Sequence, residues 1–178
     1  LHLTYHLEDG VARGGCGVQD QAAAVYGGIN MWKWRYSNRT SPFVRTSLLN
    51  RGGQKEFSKR LLVAYSGKRH ISSLTNRNWI KGFFSGRTRE GWIKVNEIIH
   101  LLAAAIKEQD WEHAADLLME EMALRKNLTP EALTPVTKEL VRHAEQAGCG
   151  VRFAGAGAGG SMWALGKERN IRQLRKKW

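Results

Sequence analysis

Residues 90–148 carry the strongest secondary-structure signal of the chain and constrain its fold most. Asp110 is a favourable N-cap for a helix, and Thr134 followed by Pro135 predicts the start of another. Ahead of Asp110, apolar residues recur at alternating spacings of three and four, which places them on one helical face: Trp92, Val95, Ile99, Leu102 and Ile106. The segment therefore predicts three amphipathic helices that need an apolar layer to pack on.

Two apolar runs, residues 151–154 and 161–165, follow the helical segment and are separated by the glycine-rich residues 155–160. Strand, turn and strand is the simplest interpretation, and residues 168–178 then form a basic amphipathic helix. Helices that pack on one face of an antiparallel sheet define an α+β fold. We therefore expect this fold class.

The first half of the chain is less regular. Residues 18–26 predict a short helix that ends at Gly27 and Gly28, since glycine tolerates the left-handed C-cap. Residues 29–35 and 43–48 predict strands, and the apolar run 60–66 predicts a buried strand that leads into a polar loop. Residues 76–89 fit no single period and are expected to form a basic segment of ambiguous, mobile structure.

Composition excludes several classes of protein. The chain has 178 residues, 42% of them apolar, which suits an ordinary core. No stretch approaches the roughly 18 apolar residues that a membrane span requires, so we expect a soluble protein without a membrane partner. Cys16 and Cys149 lack the spacing of metal ligands, so we expect no metal site and reduced thiols in a cytoplasmic setting.

The formal net charge of +12 raises the hypothesis of a nucleic-acid partner. The positive charge is concentrated, with seven bases against two acids in residues 61–100 and seven against one in residues 151–178. These regions contain no zinc finger, no helix-turn-helix and no aromatic-interleaved RNA-binding strand. A basic cleft for a phosphorylated small molecule is therefore favoured over nucleic acid.

Residues 155–160 satisfy the pattern GxGxxG, which is a weak sign of a dinucleotide site. A Rossmann fingerprint needs a helix directly after the glycines and an acidic residue about 20 positions on, and neither is present. No Lys-Ser or Lys-Thr pair follows to complete a P-loop. Two interpretations stay open: glycines whose N–H groups face a phosphate, and a tight hairpin between two core strands.

Asp20 is the second candidate for chemistry. It lies in the first turn of the predicted helix, where the macrodipole favours a carboxylate. The glycines before Asp20 would let a substrate approach, and Arg13 can supply positive charge. The alternative is that Asp20 only starts the helix.

Three segments together carry a family resemblance. Residues 15–28, with Asp20-Gln21, alanines and a Gly-Gly ending, resemble the Gly-x-x-Asp-Gln helix of the GHMP kinases, above all the branch of D-glycero-D-manno-heptose 7-phosphate kinase and fucokinase. Residues 155–160 resemble the third motif of that family. Residues 65–73 are similar to a post-strand loop of its sugar kinases, and Ser66-x-x-Arg69-His70 is galactokinase-like.

The resemblance implies an architecture and an activity. Residues 61–178 would form the ferredoxin-like GHMP kinase C-terminal domain, and residues 1–60 the remainder of an N-terminal α/β domain. The implied activity is phosphoryl transfer from ATP, with Mg²⁺, to a hydroxyl of a sugar or sugar phosphate, with heptose 7-phosphate ahead of fucose and galactose. The implied location is cytoplasmic.

The resemblance also implies roles for particular residues. Asp20 would be the catalytic base or electrostatic orienter of the sugar hydroxyl. Backbone of Gly17, together with Arg69 and His70, would contact the acceptor. The residues implied to bind phosphate are four glycines of one turn: Gly155, Gly157, Gly159 and Gly160.

The chain departs from the family pattern in two ways. Ala158 replaces a glycine of the third motif, and its methyl group is expected to fit if the backbone angles stay negative. The first motif and the central motif that wraps the ATP phosphates do not occur in these 178 residues, so we expect them to be inactive alone. Exposed apolar residues of the N-terminal remnant, among them Trp32, Trp34 and Phe43, predict homo-oligomers. The alternative function is a noncatalytic basic module that binds nucleic acid or another polyanion.

Overall fold

The structure is a computed structural model that describes residues 1–11, 18–35, 38, 42–68 and 72–178. The chain divides into two compact units, Leu1–Glu56 and Phe57–Trp178. The family resemblance implies a domain boundary between residues 60 and 61. This division into two domains stays a prediction.

The first unit combines helices with a two-stranded antiparallel sheet. Its elements are α1 (His2–Val11), α2 (Gln19–Tyr26), β1 (Asn30–Trp34) and β2 (Phe43–Ser47), and α3 (Arg51–Ser58) covers the boundary to the second unit. Strands β1 and β2 pair from Asn30↔Ser47 to Trp34↔Phe43. The predicted short helix and both predicted strands are thus present. Helix α3 was missed because Gly52 and Gly53 lower its helix propensity.

The second unit combines a three-stranded sheet with a larger set of helices. Its elements in chain order are β3 (Leu61–Tyr65), α4 (Ser72–Phe84), α5 (Arg89–Glu108), α6 (Trp111–Leu128), a 3-10 helix (Pro130–Ala132), α7 (Pro135–Gln146), β4 (Gly150–Phe153), β5 (Ser161–Leu165) and α8 (Glu168–Arg175). The strands run antiparallel in the order β3-β5-β4. Helices packed against an antiparallel sheet confirm the α+β class.

One face of this sheet is buried and the other is partly open. Val151 and Phe153 of β4 and Met162 and Ala164 of β5 alternate into the core, with period two. Strand β3 lies at an edge, and its residues Val63 and Tyr65 are 59% and 63% exposed. The predicted buried strand over residues 60–66 is therefore wrong in its environment, since a continuous apolar run does not distinguish an edge strand from a central one.

The helical segment 90–148 folds as predicted. Asp110 caps α6 by accepting a hydrogen bond from the N–H of His113 at 3.1 Å, and Thr134 caps α7 in a reciprocal arrangement with Thr137. The buried residues of α5 are Val95, Ile98, Leu102, Ala105 and Ile106. Ile98 is thus more deeply buried than the predicted Ile99.

Close approach of α6 to β4 fixes the core. A Cβ atom on Gly150 would lie 2.3 Å from the carbonyl oxygen of Ala115 and 2.6 Å from Cβ of Leu118, so only glycine allows this spacing. The core also includes Ile171 and Leu174, through which the basic helix α8 is anchored, as the amphipathic pattern predicts.

Residues 76–89, of ambiguous sequence pattern, are mostly helical. Helix α4 continues to Phe84, and a turn over residues 85–88 leads into α5. Trp79 of α4 and Trp92 of α5 have ring centroids 5.0 Å apart and join the two helices. None of the helices that the structure describes is long and apolar enough to cross a membrane.

Candidate functional site

The glycine-rich segment connects β4 to β5 as a hairpin turn with unusual backbone geometry. Four successive residues have positive φ: 88° at Gly157, 61° at Ala158, 125° at Gly159 and 70° at Gly160. Such angles are readily adopted by glycine and cost an alanine free energy. The condition under which the methyl group of Ala158 was expected to fit, negative backbone angles, is therefore not met, because the turn holds Ala158 in the left-handed region.

The turn, defined as residues 154–160, packs directly on the 3-10 helix. The N–H of Ala158 donates to the carbonyl oxygen of Ala132 at 2.6 Å. A Cβ atom on Gly157 would lie 2.7 Å from Cβ of Ala132, so a side chain at position 157 would force the two segments apart. The lack of a side chain at Gly157 is thus what allows the turn to lie on this helix.

Hydrogen bonds also fasten the turn to the segment that follows β3. The N–H of Gly160 donates to the carbonyl oxygen of Lys68, and Gly160 accepts a bond from the N–H of Ser66, both at 2.9 Å. Two of the three segments singled out in the sequence therefore lie side by side. Ser66 is buried, whereas Lys68 is exposed and can present its positive charge near the turn.

Arg125 of α6 is buried under the turn and forms a hydrogen bond to it. Its side chain is 3% exposed, and its Nη2 donates to the carbonyl oxygen of Ala156 at 3.4 Å. The guanidinium carbon lies 4.4 Å from the ring centroid of Trp79, 5.1 Å from that of Trp92 and 5.6 Å from that of Phe153. Aromatic faces attract a cation electrostatically, so three rings help to stabilise this buried charge.

Glu121 is the counter-ion of Arg125. Its carboxylate is fully buried, and Oε1 lies 3.6 Å from Nη1 of Arg125 and 3.5 Å from Nε of Arg152. Burial lowers the pKa of Arg125, and the charge of Glu121 opposes that effect. Removal of one member of a buried ion pair leaves the other charge buried without compensation, which strongly destabilises the protein.

Part of the turn has backbone N–H groups that make no hydrogen bond within the fold. The N–H groups of Gly155, Gly157 and Gly159 have no acceptor among the residues that the structure describes. Gly160 and Ala158 use theirs within the fold. Gly155 is exposed, whereas Gly157 and Gly159 are buried. A free N–H group in an exposed glycine turn can donate to an oxygen of an anion such as phosphate.

Asp20 lies in the first turn of α2, as predicted from the sequence. Its side chain is exposed. The neighbouring Gln21 is buried and donates from Nε2 to Oε2 of Glu8, which attaches α2 to α1. The helix is thereby anchored through Gln21 and Ala22, and Asp20 is left open on its surface.

Three residues with predicted roles lie outside the described residues: Gly17, Arg69 and His70. The same holds for Arg13 and Cys16. Asp20 belongs to the first unit and the glycine turn to the second, and the roles of all these residues stay predictions.

The described part of the chain contains no group of three or more His, Cys, Asp or Glu side chains that could hold a metal ion. Cys149 is a free, buried thiol, and burial raises its pKa to about 11. A thiol with a raised pKa is mostly protonated at neutral pH, which makes it a poor nucleophile and a poor ligand. Its place in the core accounts for it as a packing residue.

Sequence reasoning missed the residues beneath the turn. Arg125 and Glu121 are four positions apart in α6, where such a spacing usually marks an exposed ion pair. Ala132 is hidden in a segment with no periodic pattern. The one available signal was that Arg125 continues the helical face of Leu118 and Met122, which would place a charge in the core.

The fold and the turn define a class: an α+β unit in which a glycine-rich hairpin joins two neighbouring strands of an antiparallel sheet. Residues 102–178 match the family model described as GHMP kinases C terminal. The matched residues all lie within the second unit and cover less than half of the chain. No curated protein sequence matches the chain significantly.

Solved structures of GHMP kinases share the fold. Mevalonate kinase of L. major, in complex with R-mevalonate, is 18% identical, with a TM-score of 0.74 over 95% of this chain and 51% of its own. Phosphomevalonate kinase of Streptococcus pneumoniae, in complex with phosphomevalonate and AMPPNP, is 16% identical, with a TM-score of 0.61 over 77% of this chain and 39% of its own. A Campylobacter jejuni protein that has been named a sugar kinase is 22% identical, with a TM-score of 0.58 over 99% of this chain and 49% of its own.

The chain thus spans 39% to 51% of the length of these three proteins. At identities of 16% to 22% the likeness concerns the fold alone. The comparisons agree on a kinase fold and do not single out the heptose kinase and fucokinase branch, which stays a prediction.

Proposed function

We propose that this chain supplies the acceptor-facing and phosphate-facing part of an ATP-dependent sugar or sugar-phosphate kinase of the cytoplasm, with an acceptor that resembles heptose 7-phosphate. The observation that carries the proposal is the glycine turn, whose Gly155, Gly157 and Gly159 N–H groups are unpaired within the described fold. The turn belongs to a domain that matches the GHMP kinases.

The residues of the turn fit a phosphate group of ATP. The exposed Gly155 supplies an N–H donor, those of Gly157 and Gly159 lie next to it in the same turn, and the exposed Lys68 adds positive charge beside it. For Mg²⁺ the fit is absent, since the described residues hold no cluster of three carboxylates or other ligands. We therefore assign no step of the reaction to a metal bound by this chain.

In the proposed reaction a hydroxyl oxygen of the sugar attacks the γ-phosphorus of ATP. The bond from the γ-phosphorus to the β–γ bridging oxygen breaks, ADP leaves, and Asp20 takes the proton of the hydroxyl. Phosphoryl transfer has a loose transition state, so correct positioning and neutralised charge lower the barrier more than a strong base does. Gly17, Arg69 and His70 would contact the acceptor.

The 178 residues alone are expected to give no measurable phosphoryl transfer. The first and central motifs of the family do not occur in the sequence, so the chain lacks the main cradle for ATP. Robust ATP turnover by the purified chain would contradict this expectation.

Asp20→Asn tests the catalytic role in a chain or complex that supplies the first and central motifs. We expect kcat to fall by about a hundredfold or more, because the hydroxyl loses its general base. The fold and the affinity for ATP should be unchanged, since Asp20 is exposed and makes no capping bond. The measurement is steady-state turnover with heptose 7-phosphate, together with ATP affinity by calorimetry.

Asp116→Asn is the matched control, since Asp116 is an exposed aspartate within helix α6. This variant should keep full turnover. An Asp20→Asn protein as active as the Asp116→Asn protein would refute the role of Asp20.

A polyanion-binding module is favoured by one further feature, the basic surface of the C-terminal segment. Its exposed cations share one helix and its end: Arg169, Arg172, Arg175, Lys176 and Lys177. Salt-dependent retention on heparin, without thermal stabilisation by sugar phosphates, would support this alternative. Stabilisation by a sugar phosphate supports the kinase proposal.

A further inference from the structure

A pocket of about 640 Å³ opens within the second unit, where α4, α5, the end of α6 and the 3-10 helix meet. Its size lies within the range of small-molecule sites. The lining residues are aromatic, amide, hydroxyl and charged in nature: Asn78, Trp79, Lys81, Arg87, Thr88, Trp92, Asn127, Leu128, Pro130 and Glu131. None of them was singled out for chemistry in the sequence.

The cations of the pocket are available to a ligand. Lys81 and Arg87 are exposed and form no ion pair with any carboxylate in the part of the chain that the structure describes. Glu131 is the single acidic residue of the lining, against two cations. The pocket therefore carries a net positive charge and favours an anion.

The walls suit a ligand that is both polar and partly apolar. Trp79 and Trp92 offer aromatic surface, which packs well on the C–H face of a sugar ring. The amides of Asn78 and Asn127 both donate and accept hydrogen bonds, as hydroxyl groups require. The cations can bind a phosphate group, the amides can bind hydroxyl groups and the aromatic rings can pack on carbon. Together these groups match a sugar phosphate.

Two buried polar atoms in the wall lack partners. Nε1 of Trp79 and Oγ1 of Thr88 have no hydrogen bond within the described structure. A buried donor without an acceptor costs free energy, so a ligand oxygen that either group could reach by a small rotation would gain stability.

A second pocket, of about 510 Å³, provides a contrast. It is also lined by charged residues, but Lys167 and Glu112 pair at 2.6 Å, and Arg60 packs over the ring of Trp111. One cation of that pocket is thus neutralised by a carboxylate of the same pocket, whereas neither Lys81 nor Arg87 of the first pocket is neutralised in this way in the described structure.

The first pocket and the glycine turn share structural elements. Arg125 packs against Trp79 and Trp92 and bonds to Ala156 of the turn. Glu131 lines the pocket, while the next residue, Ala132, accepts the hydrogen bond of Ala158. A ligand in the pocket would thus lie on elements that also hold the turn.

We propose that this pocket binds a sugar phosphate, with Lys81 and Arg87 at the phosphate and Trp79 and Trp92 against the ring. The proposal deepens the proposed function and rests on it for the choice of a sugar as the ligand. The pocket itself is defined by the described residues alone.

The test is calorimetric titration of the purified 178-residue chain at low ionic strength. The probes are glucose 6-phosphate, glucose and inorganic phosphate. The double variant Lys81→Gln/Arg87→Gln should bind glucose 6-phosphate at least about tenfold more weakly, because each charged hydrogen bond to phosphate contributes markedly to affinity. Glucose and inorganic phosphate should each bind the unsubstituted chain more weakly than glucose 6-phosphate.

Arg175→Gln/Lys176→Gln is the matched control, since it removes the same charge from exposed positions at the end of α8. Its affinity for glucose 6-phosphate should stay within about twofold of the unsubstituted chain. Equal weakening in both double variants would overturn the assignment, because attraction would then reflect net charge. No binding of glucose 6-phosphate, or binding of inorganic phosphate as tight as that of glucose 6-phosphate, would overturn it as well.

The two proposals fail separately. If Lys81→Gln/Arg87→Gln leaves the affinity for glucose 6-phosphate unchanged, the pocket assignment is refuted and the proposed kinase function is not affected. If Asp20→Asn leaves turnover unchanged, the proposed role of Asp20 is refuted and the pocket assignment is not affected.

Discussion

Ala158 carries a methyl group at a position whose backbone conformation favours glycine. Its φ of 61° lies in the left-handed region, between glycines that tolerate such angles without cost. For an L-residue this conformation costs roughly 1–2 kcal/mol. The hydrogen bond from Ala158 to Ala132 holds the residue there.

Ala158→Gly should therefore stabilise the protein. We expect a gain of about 0.5–1 kcal/mol in the free energy of unfolding, since relief of the backbone strain exceeds the added flexibility of glycine in the unfolded chain. Urea denaturation provides the measurement, with the midpoint as the observable. Ala154→Gly is the control, because Ala154 has no positive φ and should only lose stability. Equal losses in both variants would show that position 158 is not strained.

The residues of the site were predictable only where a motif marked them. Asp20 and the glycines stand in short patterns that the sequence displays directly. Arg125 and Lys126 are adjacent and chemically alike, yet Arg125 is buried whereas Lys126 pairs with Glu145 at 2.6 Å near the surface. Only the packing of α6 on its neighbours separates the two, and that information is not local.

At the scale of elements, local chemistry predicts boundaries well. The caps at Asp110 and Thr134 were predicted and are formed, because a side chain that bonds to its own helix needs no distant partner. The exposure of strand β3 and the helical state of α4 were harder to predict from the sequence. The exposure of β3 depends on β5, about a hundred residues later, and the helical state of α4 depends on the contact of Trp79 with Trp92.

The ion pair of Arg125 and Glu121 links α6 to the glycine turn and gives a test at this scale. Arg125→Met leaves the carboxylate of Glu121 buried with Arg152 alone, and we expect a loss of about 3–5 kcal/mol. Glu121→Leu/Arg125→Met removes both charges and should be more stable than the single variant. A double-mutant cycle in urea measures the coupling.

The contrary result of that cycle would be additivity. If the double variant lost the sum of the single effects, the two charges would not stabilise each other.

At the scale of the whole molecule, the first unit exposes much apolar surface. Leu3, Leu7 and Val11 form a stripe along α1 and are 71%, 63% and 87% exposed. In the β1–β2 hairpin, Trp32 stacks on Trp34 at 5.8 Å, and Trp34 remains 45% exposed. Such surface favours association.

We expect the average mass of the chain to rise with protein concentration in multi-angle light scattering. Trp34→Lys should reduce the rise, because a charge in the hairpin face opposes apolar contact. Leu101→Lys, at an exposed leucine of α5 in the second unit, should leave it unchanged. A strict monomer at all concentrations would contradict the expected homo-oligomer.

The sheet order has a consequence for synthesis of the protein. The central strand β5 pairs with β3 from Leu61↔Leu165 to Tyr65↔Ser161, so the middle of the sheet is made last. During translation, β3 and β4 have no strand to pair with until residues 161–165 have emerged from the ribosome. Pairing of strands across a long loop is also slow. A nascent chain that ends before residue 161 lacks the strand with which both β3 and β4 pair, so its glycine-rich residues cannot be closed into a hairpin turn. The hairpin that carries the glycine turn can thus close only after β5 has been made.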